Sequence, residues 1–221
     1  QAIPRAQVEG TSMKKCLAAP AGKVIVTADL SQIEPRILHW LAGDLEFLTL
    51  VGGGIDLYEA HGRASGLYKE EEPMKDFAPD TRHLCKARTL GLGYGCGAKR
   101  FVQVAHALTG GALTLSFAAA RNAVLEYRKQ NKKVVKLWNQ LEEALRFFIQ
   151  RDEDVGEILT PNGKPIKYFD LSEKDGDLVA AVTKGDKTKR LFGGLLVENL
   201  VQATAREIFA DALLRLEAMG L

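Results

Sequence analysis

From residue 134 to residue 149, apolar side chains recur at i, i+4, i+7, i+11, i+14 and i+15: Val134, Trp138, Leu141, Leu145, Phe148 and Ile149. Only an α-helix gathers that series on one face, and such a face must be covered by other elements. The spacing predicts one long helix over residues 117–150. A second helical series, Val201, Ala205, Ile208, Phe209, Ala212, Leu213 and Leu216, predicts a closing helix over residues 198–219 with that stripe in the core. Between them, "LTPNGKPIKYF" sets Asn162-Gly163 between two extended runs, which is a hairpin signal, and "GDLVAAVT" can supply another strand.

Upstream the chain is more broken. The β-branched run Val24–Val26 predicts a buried strand over residues 24–29, after an irregular stretch at 1–22. Helices are expected over 32–41, 57–64 and 81–92, the last entering the glycine-dense "GLGYGCG", with an acidic, proline-containing loop at 69–80. Regular strand–helix alternation is missing, so the fold class is α+β and helix-rich rather than a doubly wound sheet.

With 221 residues, 46% of them hydrophobic, the chain can bury a real core in one large domain or two subdomains. A net charge of +2 points to no partner by itself. Cys16, Cys85 and Cys96 form no C-x-x-C pair, which argues against a disulfide framework or a zinc site and for a reducing compartment. No apolar run approaches the ~20 residues of a membrane span, and no signal pattern opens the chain, so a soluble, cytoplasmic protein is expected. Starting at Gln1 and stopping at "EAMGL", it reads as a piece of something longer.

Three groups of residues can carry chemistry. Asp29, at the end of the expected strand, is a good metal-ligand position if the sheet holds it rigid; an Asp capping the next helix is the alternative. Ser31-x-x-Glu34 has the spacing of a capping box, but Pro35 could not donate the first hydrogen bond that Ser31 as cap would require, so the helix can begin at Pro35 itself. Arg82 and Lys86, one turn apart, can hold polyphosphate oxygens, the first as a bidentate fork and the second as a point charge; alone they are equally two solvated cations. Leu90 and Tyr94 drift around the helix from that pair. Gly91, Gly93, Gly95 and Gly97 raise a phosphate-cradling loop, but a basic helical segment precedes them where an apolar strand is needed. Asn199, Gln202 and Arg206 share one face of the closing helix, suited to base and sugar edges in a minor groove or to plain solvent. His39, His61, His83 and His106 show no ligand spacing.

Taken together and in this order, the segments resemble DNA polymerase family A, especially its phage-type members. "ADLSQIEPRI" is similar to the family's first carboxylate motif, and "RHLCKARTLGLGYG" to its fingers helix with Arg-x3-Lys and a terminal Tyr-Gly. "QAIPR" and "LAAPAGKVIV" resemble the approach to the first motif, and "GGLLVENLVQATAREI" the helix before the last. The resemblance implies part of the palm with its first carboxylate motif at 1–44, helical fingers at 45–150, and a hairpin returning to the palm at 151–221.

It implies template-directed DNA synthesis from dNTPs on a primer–template, with no membrane, in a bacterial cell, phage- or prophage-encoded. Asp29 would bind the catalytic pair of Mg²⁺ ions. Arg82 and Lys86 would hold the triphosphate, with Lys86 also catalytic, and Glu34 and Leu90 would face the sugar. Tyr94 and Gly95 would meet the templating base, and Gln202, Asn199 and Arg206 the primer–template. Leu30 replaces the family's usual Tyr after the Asp, and Leu90 stands where bacterial members have Phe or Tyr. The family's last motif, His-Asp-Glu with the second metal-binding Asp, is not in the sequence, so this chain alone is expected to be inactive. The rival readings are a non-catalytic nucleic-acid-binding scaffold and a nucleotide-dependent enzyme using the glycine-rich loop.

Overall fold

The computed structural model describes residues 7–8, 11–12 and 17–220; Cys16 and the "QAIPR" stretch lie outside the described residues. The chain divides into two compact units, Gln1–Ser31 and Gln32–Leu221. In the first, β1 (Gln7–Val8) pairs antiparallel with β2 (Thr11–Ser12), within a stretch expected to be irregular. The strand expected over 24–29 does not form. Val24 and Val26 are 83% and 84% exposed, and no described segment pairs with them. β-Branched residues give a propensity, but a strand exists only when a neighbour takes up its N–H and C=O groups. Asp29 is therefore exposed, on a segment outside any sheet, and not at a rigid strand end.

The second unit begins with α1 (Ile33–Leu41), α2 (Leu45–Gly52), α3 (Leu57–Ala64) and α4 (Met74–Phe77). Next, α5 (Pro79–Ala87) runs into a π-helical turn, Arg88–Leu92, and α6 (Ala98–Leu108), α7 (Phe117–Gln130) and α8 (Lys132–Gln150) follow. The expected single helix over 117–150 is broken at Asn131, whose backbone N–H and side-chain Nδ2 both donate to the Tyr127 carbonyl and close α7. The helices α2, α4 and α6 were not expected: Gly52–Gly54 hides the end of the first, the short second lies inside the loop expected over 69–80 with Met74 buried, and only Phe101 and Ala105 are buried along the third.

The C-terminal sheet is antiparallel, in the order β3 (Gly156–Leu159), β4 (Pro165–Lys174), β5 (Asp177–Ala181), β6 (Lys189–Arg190). The expected hairpin is β3–β4, in register from Gly156↔Tyr168 to Leu159↔Pro165, with Gly163 at φ 78° in its loop. Leu145 of α8, Tyr168, Leu178 and Leu196 build the core beneath the sheet. A helix-rich α+β fold results, as the periodicities imply.

The closing helix α9 (Gly193–Ala218) starts five residues before the expected 198. Glycine is a poor helix former, so "GG" reads as a break. Here it is required, because a Cβ on Gly194 would strike the Tyr94 carbonyl and one on Gly193 the Trp138 carbonyl. The expected core stripe holds only in part. Of that stripe only Val201 is buried, with Ala205 partly so; Leu196, Val197 and Leu200, outside the stripe, join Val201 against α1, α8 and the sheet, whereas Ile208, Phe209, Leu213 and Leu216 are exposed, with no described element packed over them. Among the described residues no helix is long and apolar enough to cross a membrane.

Candidate nucleotide and template site

The start of α1 resolves the question posed by Pro35. Its N-cap is Gln32, in the left-handed region at φ 53°, and the first intrahelical bond runs from Arg36 N–H to the Gln32 carbonyl. Pro35 thus falls in the first turn, where no donor is needed, and α1 begins at Ile33, before Pro35. The Gln32 amide reaches across to α3: Nε2 donates to Asp56 Oδ2 at 2.9 Å, and Oε1 accepts from Leu57 N–H at 3.3 Å. Glu34 accepts a hydrogen bond of 2.6 Å from Gln202 Nε2 of α9, 168 positions away.

Arg82 and Lys86 both lie on α5, as expected. Arg82 Nη2 donates to Asp56 Oδ2 at 3.2 Å, and its guanidinium lies 5.0 Å from the centre of the Tyr58 ring. Burial pushes the Asp56 carboxyl up, but hydrogen bonds from Gln32 and Arg82 and the guanidinium charge outweigh it and hold the group below its ordinary value. Lys86 is half-buried and makes no ion pair among the described residues. Leu90 packs its inner side on the core formed by Phe47, Leu57 and Cys85.

The π-helical turn holds Thr89, whose hydroxyl donates to the Cys85 carbonyl at 2.8 Å. It has a geometric consequence. In an α-helix each four-residue step overshoots one turn by about 40°. The wider π turn takes more residues per revolution, so it winds Leu90 back toward the Arg82–Lys86 line against the expected drift. Arg88 in this turn is buried, with Nη1 donating to Glu126 at 3.2 Å and Nη2 to Gln130 at 3.0 Å. Burial, with Arg88 adding to it, pushes the His61 imidazole down to about 3.

Tyr94 has a buried hydroxyl with no partner among the described residues; burial, then the Glu34 carboxylate, push its pKa far above the ordinary value. Gly95 sits at φ 76°, and its close approach is to the Gly194 Cα and the Phe192 ring, the chain's own α9. Trp138 Nε1 donates to the Gly93 carbonyl at 2.9 Å, fixing this corner to α8. A cleft of about 250 Å³ opens there, between Gly95, Arg128, Trp138 and Phe192. The alternating glycines therefore shape a turn packed by helices and do not form a phosphate cradle after a strand. On α9, Asn199 Nδ2 donates to the Tyr168 hydroxyl at 3.0 Å, while Arg206 is exposed and makes no ion pair among the described residues.

The model of DNA polymerase family A matches residues 1–159. The chain belongs to DNA polymerase family A. It is 29% identical over 224 residues to a DNA polymerase of Bacillus phage SP02, covering 90% of this chain and 33% of that protein. It is 35% identical over 98 residues to DNA polymerase I of Pseudomonas aeruginosa, covering 44% of this chain and 10% of that one. The family A chain thus spans about a third of the phage relative's length. Asp29, Glu34, Arg82, Lys86, Leu90, Tyr94 and Gly95 fall within the matched residues; Asn199, Gln202 and Arg206 lie beyond them.

Sequence reasoning missed Asp56, Tyr58 and Arg88. Asp56-x-x-Glu59 before an apolar helix was a visible cap signal, and Asp56 Oδ1 does accept from the Tyr58 and Glu59 N–H groups. The described residues contain no group of three or more His, Cys, Asp or Glu able to hold a metal ion. Asp29 alone does not make a two-ion site, so these residues could supply only part of the donor set for the implied Mg²⁺ pair.

Proposed function

We propose that this chain is the fingers and part of the palm of an enzyme that extends a DNA primer along a template. The supporting observation is the pair of contacts Gln32–Asp56–Arg82 and Glu34–Gln202, which bring three sequence-distant motifs, on α1, α5 and α9, to one place. In this reading Arg82 and Lys86 hold the triphosphate of the incoming dNTP, matching fork and point charge to phosphate oxygens. Glu34 excludes the 2′-hydroxyl of a ribonucleotide, and Leu90 faces the sugar. Tyr94 and Gly95 border the templating base, and Gln202, Asn199 and Arg206 follow the primer–template. The first part of the palm spans 1–44, the fingers span 45–150, and the hairpin with the return to the palm spans 151–221.

Asp29 is assigned as one Mg²⁺ ligand. The other ligands are not among the described residues, so the part these residues play is to bind and position the nucleotide and the DNA. Two experiments test the assignment. Residues 1–221 alone should not extend a primer, and Mg²⁺-dependent extension by them would overturn the reading. In a polymerase carrying this chain, Asp29→Asn should abolish nearly all extension while leaving primer–template affinity roughly intact; retained activity would remove Asp29 from the metal site.

A further inference from the structure

The two oxygens of Asp56 serve different partners. Oδ1 accepts the Tyr58 and Glu59 N–H groups at 3.2 and 3.3 Å and starts α3. Oδ2 accepts Gln32 Nε2 at 2.9 Å and Arg82 Nη2 at 3.2 Å. Arg82 is gripped a second time by the face of Tyr58, 5.0 Å from its ring centre. Its Nε is buried without a partner among the described residues, as is that of Arg88. A half-exposed ion pair contributes little attraction of its own. A free arginine, however, gives up rotamer freedom each time it binds an anion, and a group already held in place avoids that loss. Holding thus matters more here than charge neutralisation.

We propose that Asp56 is the positioning residue for Arg82, presenting its guanidinium to the nucleotide triphosphate while Gln32 ties the same carboxylate oxygen to the first carboxylate motif. This rests on the reading of Arg82 as a triphosphate ligand. Asp56→Asn isolates the Oδ2 contacts, because asparagine retains an oxygen for the cap but turns an NH₂ toward two donors.

The test measures binding of a fluorescent dATP analogue to the polymerase carrying this chain, in the presence of a primer–template duplex. Asp56→Asn should weaken that binding about tenfold, as loss of one well-placed charge-assisted contact does. Primer–template affinity should be unchanged and the melting temperature nearly so. Arg82→Lys should also weaken binding, and the double variant should be no weaker than Arg82→Lys alone within about twofold, since the two act through one contact. Unchanged or tighter binding in Asp56→Asn, additive losses, or an equal loss of DNA and nucleotide affinity would each overturn the inference and leave Arg82 a phosphate ligand. If Arg82→Lys itself has no effect, the triphosphate reading of Arg82 fails, and the inference fails with it.

Discussion

Two arginines six positions apart show how differently one helical segment can use the same ion-pair geometry. Arg82 and Arg88 each reach a carboxylate at 3.2 Å, but the Arg82 side chain is 24% exposed and that of Arg88 only 1%. Arg88 is shut between the π-helical turn and α7, where a charge is tolerated only because Glu126 and Gln130 meet it. Gln130 in turn donates to the Ser65 carbonyl at 3.1 Å, so this side fastens the basic helix to two further elements. The Arg82–Lys86 side is open, lightly paired, and left with donors to give. One side anchors the helix and the other does not.

The comparison would break first at Arg88. Arg88→Ala should cost about 3 kcal/mol in denaturant unfolding, through lost packing and stranded acceptors. Arg82→Ala should cost at most about 1 kcal/mol, as for other partly exposed pairs. Equal losses would mean the two sides are alike.

Acid should expose the same anchor. His61 is neutral in the folded chain, its pKa pushed from 6.5 to about 3. The unfolded chain takes up a proton in that window and the folded chain does not, so this contribution is whole above pH 6.5 and is lost as pH falls toward 3. Melting curves at about pH 7 and about pH 4.5 should diverge more for the native chain than for His61→Gln; parallel shifts would remove His61 from the account.

On the open side, Lys86→Ala should weaken nucleotide binding about tenfold, with little change in primer–template binding and melting temperature. Comparable losses of both affinities would make this side a general basic surface.

A small stability effect is expected at Glu34, whose bond to Gln202 is exposed. Glu34→Ala should raise ribonucleotide incorporation relative to deoxyribonucleotide several-fold by relieving a local clash, at under about 1 kcal/mol in stability. An unchanged ratio would remove Glu34 from sugar selection and leave it only its bond to Gln202.

What was legible in the residues follows the range of the interaction. Helix α3 lies where expected, at 57–64, and the Asn162-Gly163 hairpin forms, because caps and tight turns are decided within a few positions. The strand at 24–29 and the second half of α9 failed for the opposite reason: burial of an apolar run depends on what lies opposite it. The early start of α9 was hidden because glycine propensity argues against it and a contact with Tyr94, 100 positions earlier in sequence, decides it. At the candidate site, family resemblance pointed to Glu34, Arg82, Lys86 and Gln202 as proposed site residues. That Arg82 is held by Asp56, and Glu34 by Gln202, was not, since each pairing joins residues on separate elements.

The bare second half of α9 also governs how the chain behaves as a colloid. Ile208, Phe209, Leu213, Leu216 and Met219 are between 41% and 73% exposed and spread over one side of the helix. A net charge of only +2 supplies little long-range repulsion to keep such ridges apart. Molecules of this chain should adhere reversibly as concentration or sulfate rises and disperse in mild detergent, so light scattering will register the ridge well before any assay of nucleotides does.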